Sequence, residues 1–208
     1  MLNNYNVNQD GIVYQVETNP IEYNPNYIQT SYSTYGQLPT YMAYLRLGNI
    51  IGALGRVPTS ILDVGYGDGS FLKVCNDIIP ECYGYDISTY PVPDGCKIAS
   101  SMTEDSYDVI TFFDSLEHLE NIEFVKDLKC QAVCITVPHC HNINDEWFEN
   151  WKHRKPNEHL WHFNYKSLTL FMERMGFVLV SSNNIEDTIR KHPTQEQTNI
   201  LTSIFKKG

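Results

Sequence analysis

A doubly wound α/β fold is what this chain of 208 residues predicts, built on a seven-stranded, mostly parallel sheet with helices on both faces. Three observations carry that expectation. Strand-like apolar runs alternate with helix-like runs from Ser60 onward, the run "SILDVG" opens straight into a glycine-rich turn, and the last two strand-like runs follow one another with no helix between them. The length suits one domain of ordinary size, and an apolar share of 42% is enough to fill its core.

Residues 1–36 carry Tyr5, Tyr14, Tyr23, Tyr27, Tyr32 and Tyr35 among Asn, Pro, Gln and Ser with little apolar periodicity, which predicts a tyrosine-rich arm or lid before a domain at 37–208. Leu38, Tyr41, Met42, Leu45, Ile50, Ile51 and Leu54 recur at helical spacing until "GRVPT" breaks the pattern, so a helix precedes the first core strand. Then come "SILDVG" as strand, "SFLKVCNDII" as helix, "CYGYDI" and the short "CKIAS" as strands, "YDVITFFDS" as strand, "IEFVKDLK" as helix, "QAVCITVP" as strand, "YKSLTLFMERM" as helix and "GFVLVSS" as strand. The final "NILTSIFKK" predicts an antiparallel partner for "GFVLVSS", because no helical crossover separates them.

The stretch "ILDVGYGDGSFLK" spends Gly65, Gly67 and Gly69 within five residues, although glycine suits neither strand nor helix. In an open parallel sheet ligands sit beyond the carboxyl ends of the strands where strand order reverses, and the turn after the first strand lies there. Glycine lets a ligand lie directly on main chain. A dinucleotide site asks for G-x-G-x-x-G so that a diphosphate meets a helix N-terminus; the spacing here is G-x-G-x-G, preceded by Asp63. A carboxylate in that place repels a diphosphate and suits an ammonium, so the ligand reads as a nucleoside bearing an amino acid. Asp86 ends the next strand, 17 residues after Gly69, where an acidic side chain accepts hydrogen bonds from ribose hydroxyls.

Taken together, "LDVGYGDGSFL", "YGYDIS", "YDVITFFDSLEHL" and "ITVP" resemble the ordered motifs of class I S-adenosylmethionine-dependent methyltransferases. The D-x-L-E-H segment and "HLWHFNYKSLTLFMERMGF" are similar to the group that includes ubiquinone-biosynthesis and sugar methyltransferases, and the resemblance spans about residues 38–182. It implies a Rossmann-like fold and S-adenosyl-L-methionine as cofactor, with S-adenosyl-L-homocysteine as product. Residue by residue it implies that Asp63 and the Gly65, Tyr66, Gly67 and Gly69 turn hold the methionyl end, and Asp86 the ribose. Ile87 would pack on the adenine, Ser101 and Met102 would border it, and Phe113 and Asp114 would line the methionine side. Tyr66 stands where the family usually has a small residue or cysteine.

The reaction expected is methyl transfer to an oxygen or nitrogen of a small polar metabolite, a sugar, nucleotide-linked or acidic compound. Such a transfer needs an in-line nucleophile and usually a base, for which neutral histidine is suited. His139 and His141 in "VPHCHN" follow the fifth strand at the ligand end of the sheet and are the candidate bases. His118 reads as a brace for the helix after the fourth strand. The insertion "DEWFENWKHRKP" places Trp147 and Trp151 beside Arg154, and these, with His159 and His162, are the candidate acceptor residues. Three roles stay open for that insertion: binding an anionic metabolite, stacking on nucleic acid, or docking a partner or the N-terminal arm. A formal charge of −10 and the absence of a D/N-P-P-Y/F motif argue against nucleic acid. A nucleic-acid methyltransferase and a silent cofactor-binding protein are the alternatives kept beside the metabolite enzyme. "HCH" and "HLWH" offer histidine and cysteine ligands at no zinc spacing, so no metal is assigned. The six cysteines form no CxxC pair and read as reduced, buried thiols. With neither a leader pattern nor a membrane-length apolar run, the chain is expected to be cytoplasmic, and nothing in it sets an oligomeric state.

Overall fold

The computed structural model describes residues 4–19, 21, 37–88, 90–191 and 195–208. Its main sheet consists of β3 (Ser60–Val64), β4 (Glu81–Tyr85), β5 (Lys97–Ile98), β6 (Ser106–Phe113), β7 (Lys129–Pro138), β9 (Phe177–Asn183) and β10 (Ile200–Lys207). These lie in the order β5-β4-β3-β6-β7-β10-β9. Every pairing is parallel except those of β10, which runs antiparallel to both β7 and β9. The sequence thus anticipated the strand count and the antiparallel hairpin at the end.

Alternation along β3 shows why these residues make a two-faced sheet. Ile61 joins one buried cluster with Ala43, Leu47 and Ile50 of α1 (Leu38–Leu54) and Phe71, Leu72 and Cys75 of α2 (Ser70–Asn76). Leu62 and Val64 point the other way, into a larger cluster with Leu168, Phe171 and Met172 of α4 (Tyr165–Arg174). Successive side chains of a strand point to opposite faces, so an unbroken apolar run buried on both sides is the mark of a covered parallel sheet. α1 carries Pro39 in its first turn, where no backbone donor is missed, and stops at Gly55, whose left-handed backbone lets its N–H bond Ile51 O at 2.8 Å. α4 starts on a reciprocal cap: Ser167 N donates to Asn164 Oδ1 at 2.9 Å and Asn164 N donates to Ser167 Oγ at 3.0 Å.

One expected element needs correction. The run "IEFVKDLK" is not an α-helix; Glu123–Asp127 forms a 3-10 turn, because Lys129 is already pinned opposite Ser106 as the first residue of β7. Only Val125 of that turn is buried. The N-terminal segment, where described, is folded onto the domain. Tyr5–Val7 (β1) and Val13–Gln15 (β2) form a hairpin that adds to Trp161–His162 (β8) as a small three-stranded sheet. Ile12 at its bend is fully buried in the cluster under α4, which is worth roughly 2 kcal/mol by transfer. Asp10 is gripped by Arg174 of α4 at 2.6 Å. Tyr23, Tyr27, Tyr32 and Tyr35 lie outside the described residues. Among the described residues all six cysteines are free thiols, and no helix is long and apolar enough to cross a membrane.

Candidate cofactor and acceptor site

Strand order reverses between β3 and β6, so the crevice for a ligand opens at their carboxyl ends. Gly65, Gly67 and Gly69 sit there with φ of +77°, +57° and +76°, a region that L side chains rarely adopt. Space forbids a side chain as firmly as conformation does. A Cβ on Gly65 would stand 2.6 Å from Ser115 Cβ, and one on Gly69 would stand 2.7 Å from Pro93 Cγ. Asp86, just past β4, fixes the middle of the turn: Gly67 N donates to its Oδ2 at 3.1 Å and Ser88 N to its Oδ1 at 2.7 Å. A carboxylate has about four acceptor positions, so these bonds leave it able to receive more.

The other residues expected at the cofactor fall into two groups. Ile87 is 63% exposed on the lip beside Asp86, and Met102 is half-buried against the larger core cluster near Ser101, whose hydroxyl lies 3.4 Å from Thr103 Oγ1. Tyr66 is different. Its ring occupies the space a Cβ on Gly84 would need and its hydroxyl donates to Tyr90 O, so the side chain belongs to the core and only its main chain faces the turn. The bulk that departs from the family pattern is thereby accommodated by a glycine on the neighbouring strand.

Asp63 lies beneath the turn, 2% exposed, with Thr111 Oγ1 donating to its Oδ1 at 2.7 Å. Burial pushes its carboxyl up to about 7, against the pull of the Thr111 bond and of Arg46. Phe113 packs edge-on against Phe71 at 4.7 Å, under the Arg46 guanidinium at 4.2 Å. The next residue, Asp114, adopts φ +53° and enters a four-membered ion network. Arg190 Nη1 bonds it at 2.7 Å and Arg46 Nη2 at 3.1 Å, while both arginines also hold Glu186, at 2.8 and 2.7 Å respectively. Burial pushes the Asp114 carboxyl up, but the two guanidiniums outweigh it and hold it well below the usual carboxylate range. Arg46, Glu186 and Arg190 went unnoticed in the sequence, since α1 and α5 (Asp187–Arg190) are joined only by the fold.

His139 and His141 stack at 4.3 Å past the end of β7 and share Thr198. Its hydroxyl lies 2.8 Å from His139 Nδ1, and its carbonyl 2.8 Å from His141 Nε2. Burial, then His141, lowers His139 to about 4, so its imidazole is neutral at physiological pH. The aromatic insertion does what one of its three readings held: it docks the N-terminal segment. Phe148 of α3 (Asp145–Asn150) meets Tyr5 edge-on at 5.1 Å, and Arg154 lies over the Tyr5 ring at 5.2 Å. Trp147 stacks on Trp151 at 5.3 Å. His162 is buried against Phe148 and Trp151, and His159 is buried edge-on to His118 at 4.7 Å. Burial lowers His162 to about 3 and His159 to about 2. Those two rings are therefore part of the packing and not an exposed surface. His118 sits in the 3-10 turn Leu116–His118, and the helix it was expected to brace is not among the described elements between β6 and β7. A groove of about 540 Å³ lies at the opposite, amino-terminal ends of the central strands, among Thr59, Ser106 and Lys129. It is remote from every residue of the turn.

The family model for a methyltransferase domain matches residues 37–182. The chain belongs to that family of S-adenosylmethionine-dependent class I methyltransferases. No curated protein matches its sequence. Among solved structures, this methyltransferase is similar to an S-adenosylmethionine-dependent methyltransferase from Clostridium acetobutylicum ATCC 824, at 9% identity over 88% of this chain and 97% of that one, TM-score 0.61. It is similar to magnesium protoporphyrin IX methyltransferase from Synechocystis PCC 6803 with bound S-adenosylhomocysteine, at 12% identity over 89% and 96% of the two chains, TM-score 0.59. A third is the 1,6-didemethyltoxoflavin-N1-methyltransferase of Burkholderia thailandensis, at 13% identity over 98% of each chain, TM-score 0.57. At such identities the shared feature is the fold, and the acceptors named differ from one protein to the next.

Proposed function

We propose that this methyltransferase modifies an oxygen or nitrogen of a small polar metabolite, a sugar, nucleotide-linked or acidic compound. The observation that carries the reading is the left-handed glycine turn, locked from within by Asp86 at the point where strand order reverses. In this reading Asp63 and the main chain of Gly65 and Gly67 receive the methionyl ammonium and carboxylate. Asp86 takes the ribose hydroxyls, Ile87 covers the adenine between Ser101 and Met102, and Phe113 and Asp114 flank the methionine chain.

S-adenosylmethionine supplies an electrophilic methyl on a sulfonium; the chain supplies placement and a proton acceptor. Thr198 holds His139 and His141, which fixes their rings at the carboxyl end of β7. His139, kept neutral by burial, accepts the acceptor's proton through Nε2. Trp147 and Trp151 border the acceptor side and limit water. The test is incubation with S-adenosylmethionine and a panel of hydroxy and amino metabolites, read by mass spectrometry, alongside calorimetry with S-adenosylhomocysteine. A methylated product and saturable binding are expected; neither heat nor a thermal upshift with the cofactor or its product would overturn the reading.

A further inference from the structure

Three side chains that the methyl transfer just described leaves unused converge beside the glycine turn. Glu117 and His118 follow Ser115, the residue packed against Gly65, in a single 3-10 turn. His159 is brought to them by the main chain, since Leu160 N donates to Glu117 O at 2.8 Å. One ligand atom from each of the three lies within 4.8 Å of the others. Glu117 is 1% exposed and, among the described residues, neither of its carboxylate oxygens has a hydrogen-bond partner; His159 is 5% exposed and its Nδ1 has none either. Glu117 Oε1 stands 3.9 Å from His118 Nε2, beyond hydrogen-bond reach. A buried carboxylate without partners is costly unless something else neutralises it. An ion about 2.0–2.2 Å from each ligand requires ligands roughly 3–4 Å apart, which is the spacing these atoms approach.

We propose that Glu117, His118 and His159 bind a divalent transition-metal ion. One carboxylate and two imidazoles form a donor set suited to zinc or ferrous iron, and three protein ligands leave a coordination position open. Of the ligands that "HCH" and "HLWH" offered, only His159 belongs to this set: Cys140 is buried in the small cluster around Tyr5, its histidine neighbours are committed to Thr198, and His162 packs against Phe148 and Trp151. Given the function proposed above, the open position takes the acceptor's oxygen and acidifies its hydroxyl. The O–H proton passes to His139, the oxygen forms its bond to the methyl carbon as the carbon–sulfur bond breaks, and the electron pair stays on sulfur to give S-adenosylhomocysteine.

The full chain, stripped with chelator and desalted, is titrated with Co²⁺ while its visible absorption is followed, and with Zn²⁺ by calorimetry. About one equivalent is expected, in line with a single three-ligand site. Glu117→Gln and His159→Ala should each weaken binding at least tenfold, the least that loss of even a ligand's supporting hydrogen bond produces. S-adenosylhomocysteine titration checks that each variant is folded. Asp86→Ala should show the reverse pattern, retaining metal while losing cofactor, so the two readings fail separately. Absence of stoichiometric binding to the wild-type chain overturns the proposal. So does wild-type affinity in Glu117→Gln, the isosteric variant, or a loss caused instead by His141→Ala.

Discussion

Gly65→Ala tests the packing of the glycine turn in isolation from any ligand. Two costs add at this position. The backbone is left-handed, φ +77°, which penalises an L side chain by about 1–2 kcal/mol. The new methyl would also meet Ser115 Cβ at 2.6 Å, and Ser115 cannot easily yield, because its hydroxyl is bonded to Val64 O at 2.6 Å. Overpacking of this kind costs typically about 1–3 kcal/mol. Gly55 provides the internal control: it has φ +70° and nothing within 4 Å of the place a Cβ would take, so Gly55→Ala should show only the first cost. Urea denaturation is therefore expected to give a loss of about 2–5 kcal/mol for Gly65→Ala and about 1–2 kcal/mol for Gly55→Ala. Adding Ser115→Gly should recover much of the difference. Equal losses for the two alanine variants, or no recovery in the double variant, would refute the close approach of the turn to the end of β6.

Asp86→Ala should lower affinity for S-adenosylhomocysteine by about 1.5–3 kcal/mol, the range of a hydrogen bond to a charged group, or about ten- to 150-fold by calorimetry. Unchanged affinity would remove the ribose assignment. Burial raises Asp63 from 3.8 to about 7, so the folded chain holds a proton that the unfolded chain has released. Its contribution to stability is full below the unfolded value and is lost as pH rises through the folded one, by roughly 4 kcal/mol for about three pH units. Asp63→Asn should therefore gain on the wild type between about pH 4 and pH 8 in urea midpoints; a constant gap would contradict the shift. Arg46→Met leaves Glu186, 0% exposed, with Arg190 and Thr136 as its side-chain partners among the described residues. The expected loss is about 3 kcal/mol, the low end for breaking a buried pair, and thermal unfolding that matches wild type would show that the network is dispensable.

What could be read from the sequence was what neighbours in the chain decide. "DVGYGDG" needs only its own backbone and the adjoining strand end to declare a ligand turn, and the apolar runs of β3, β6 and β7 declare a covered sheet through composition alone. Three-dimensional closure hid the rest. Arg46 and Glu186 are 140 residues apart and meet only because α1 and α5 flank the same strand ends. Glu117 and His159 stand on separate loops that one backbone hydrogen bond draws together. The helical look of "IEFVKDLK" failed because strand pairing at Lys129 took precedence over local propensity. The N-terminal segment lacked periodicity because its buried residues, Tyr5, Ile12 and Val13, serve two different clusters.

The position of β10 governs how the fold can be assembled. Latest of the sheet's strands in chain order, it is nonetheless interior, with β7 on one side and β9 on the other. Until it arrives, β9 lacks its neighbour in the sheet and the backbone of β7 lies open along seven paired positions. Synthesis must then leave a ready-made slot that any extended apolar segment could enter, so shielding of this gap, or rapid closure by the chain's own strand, decides between folding and aggregation.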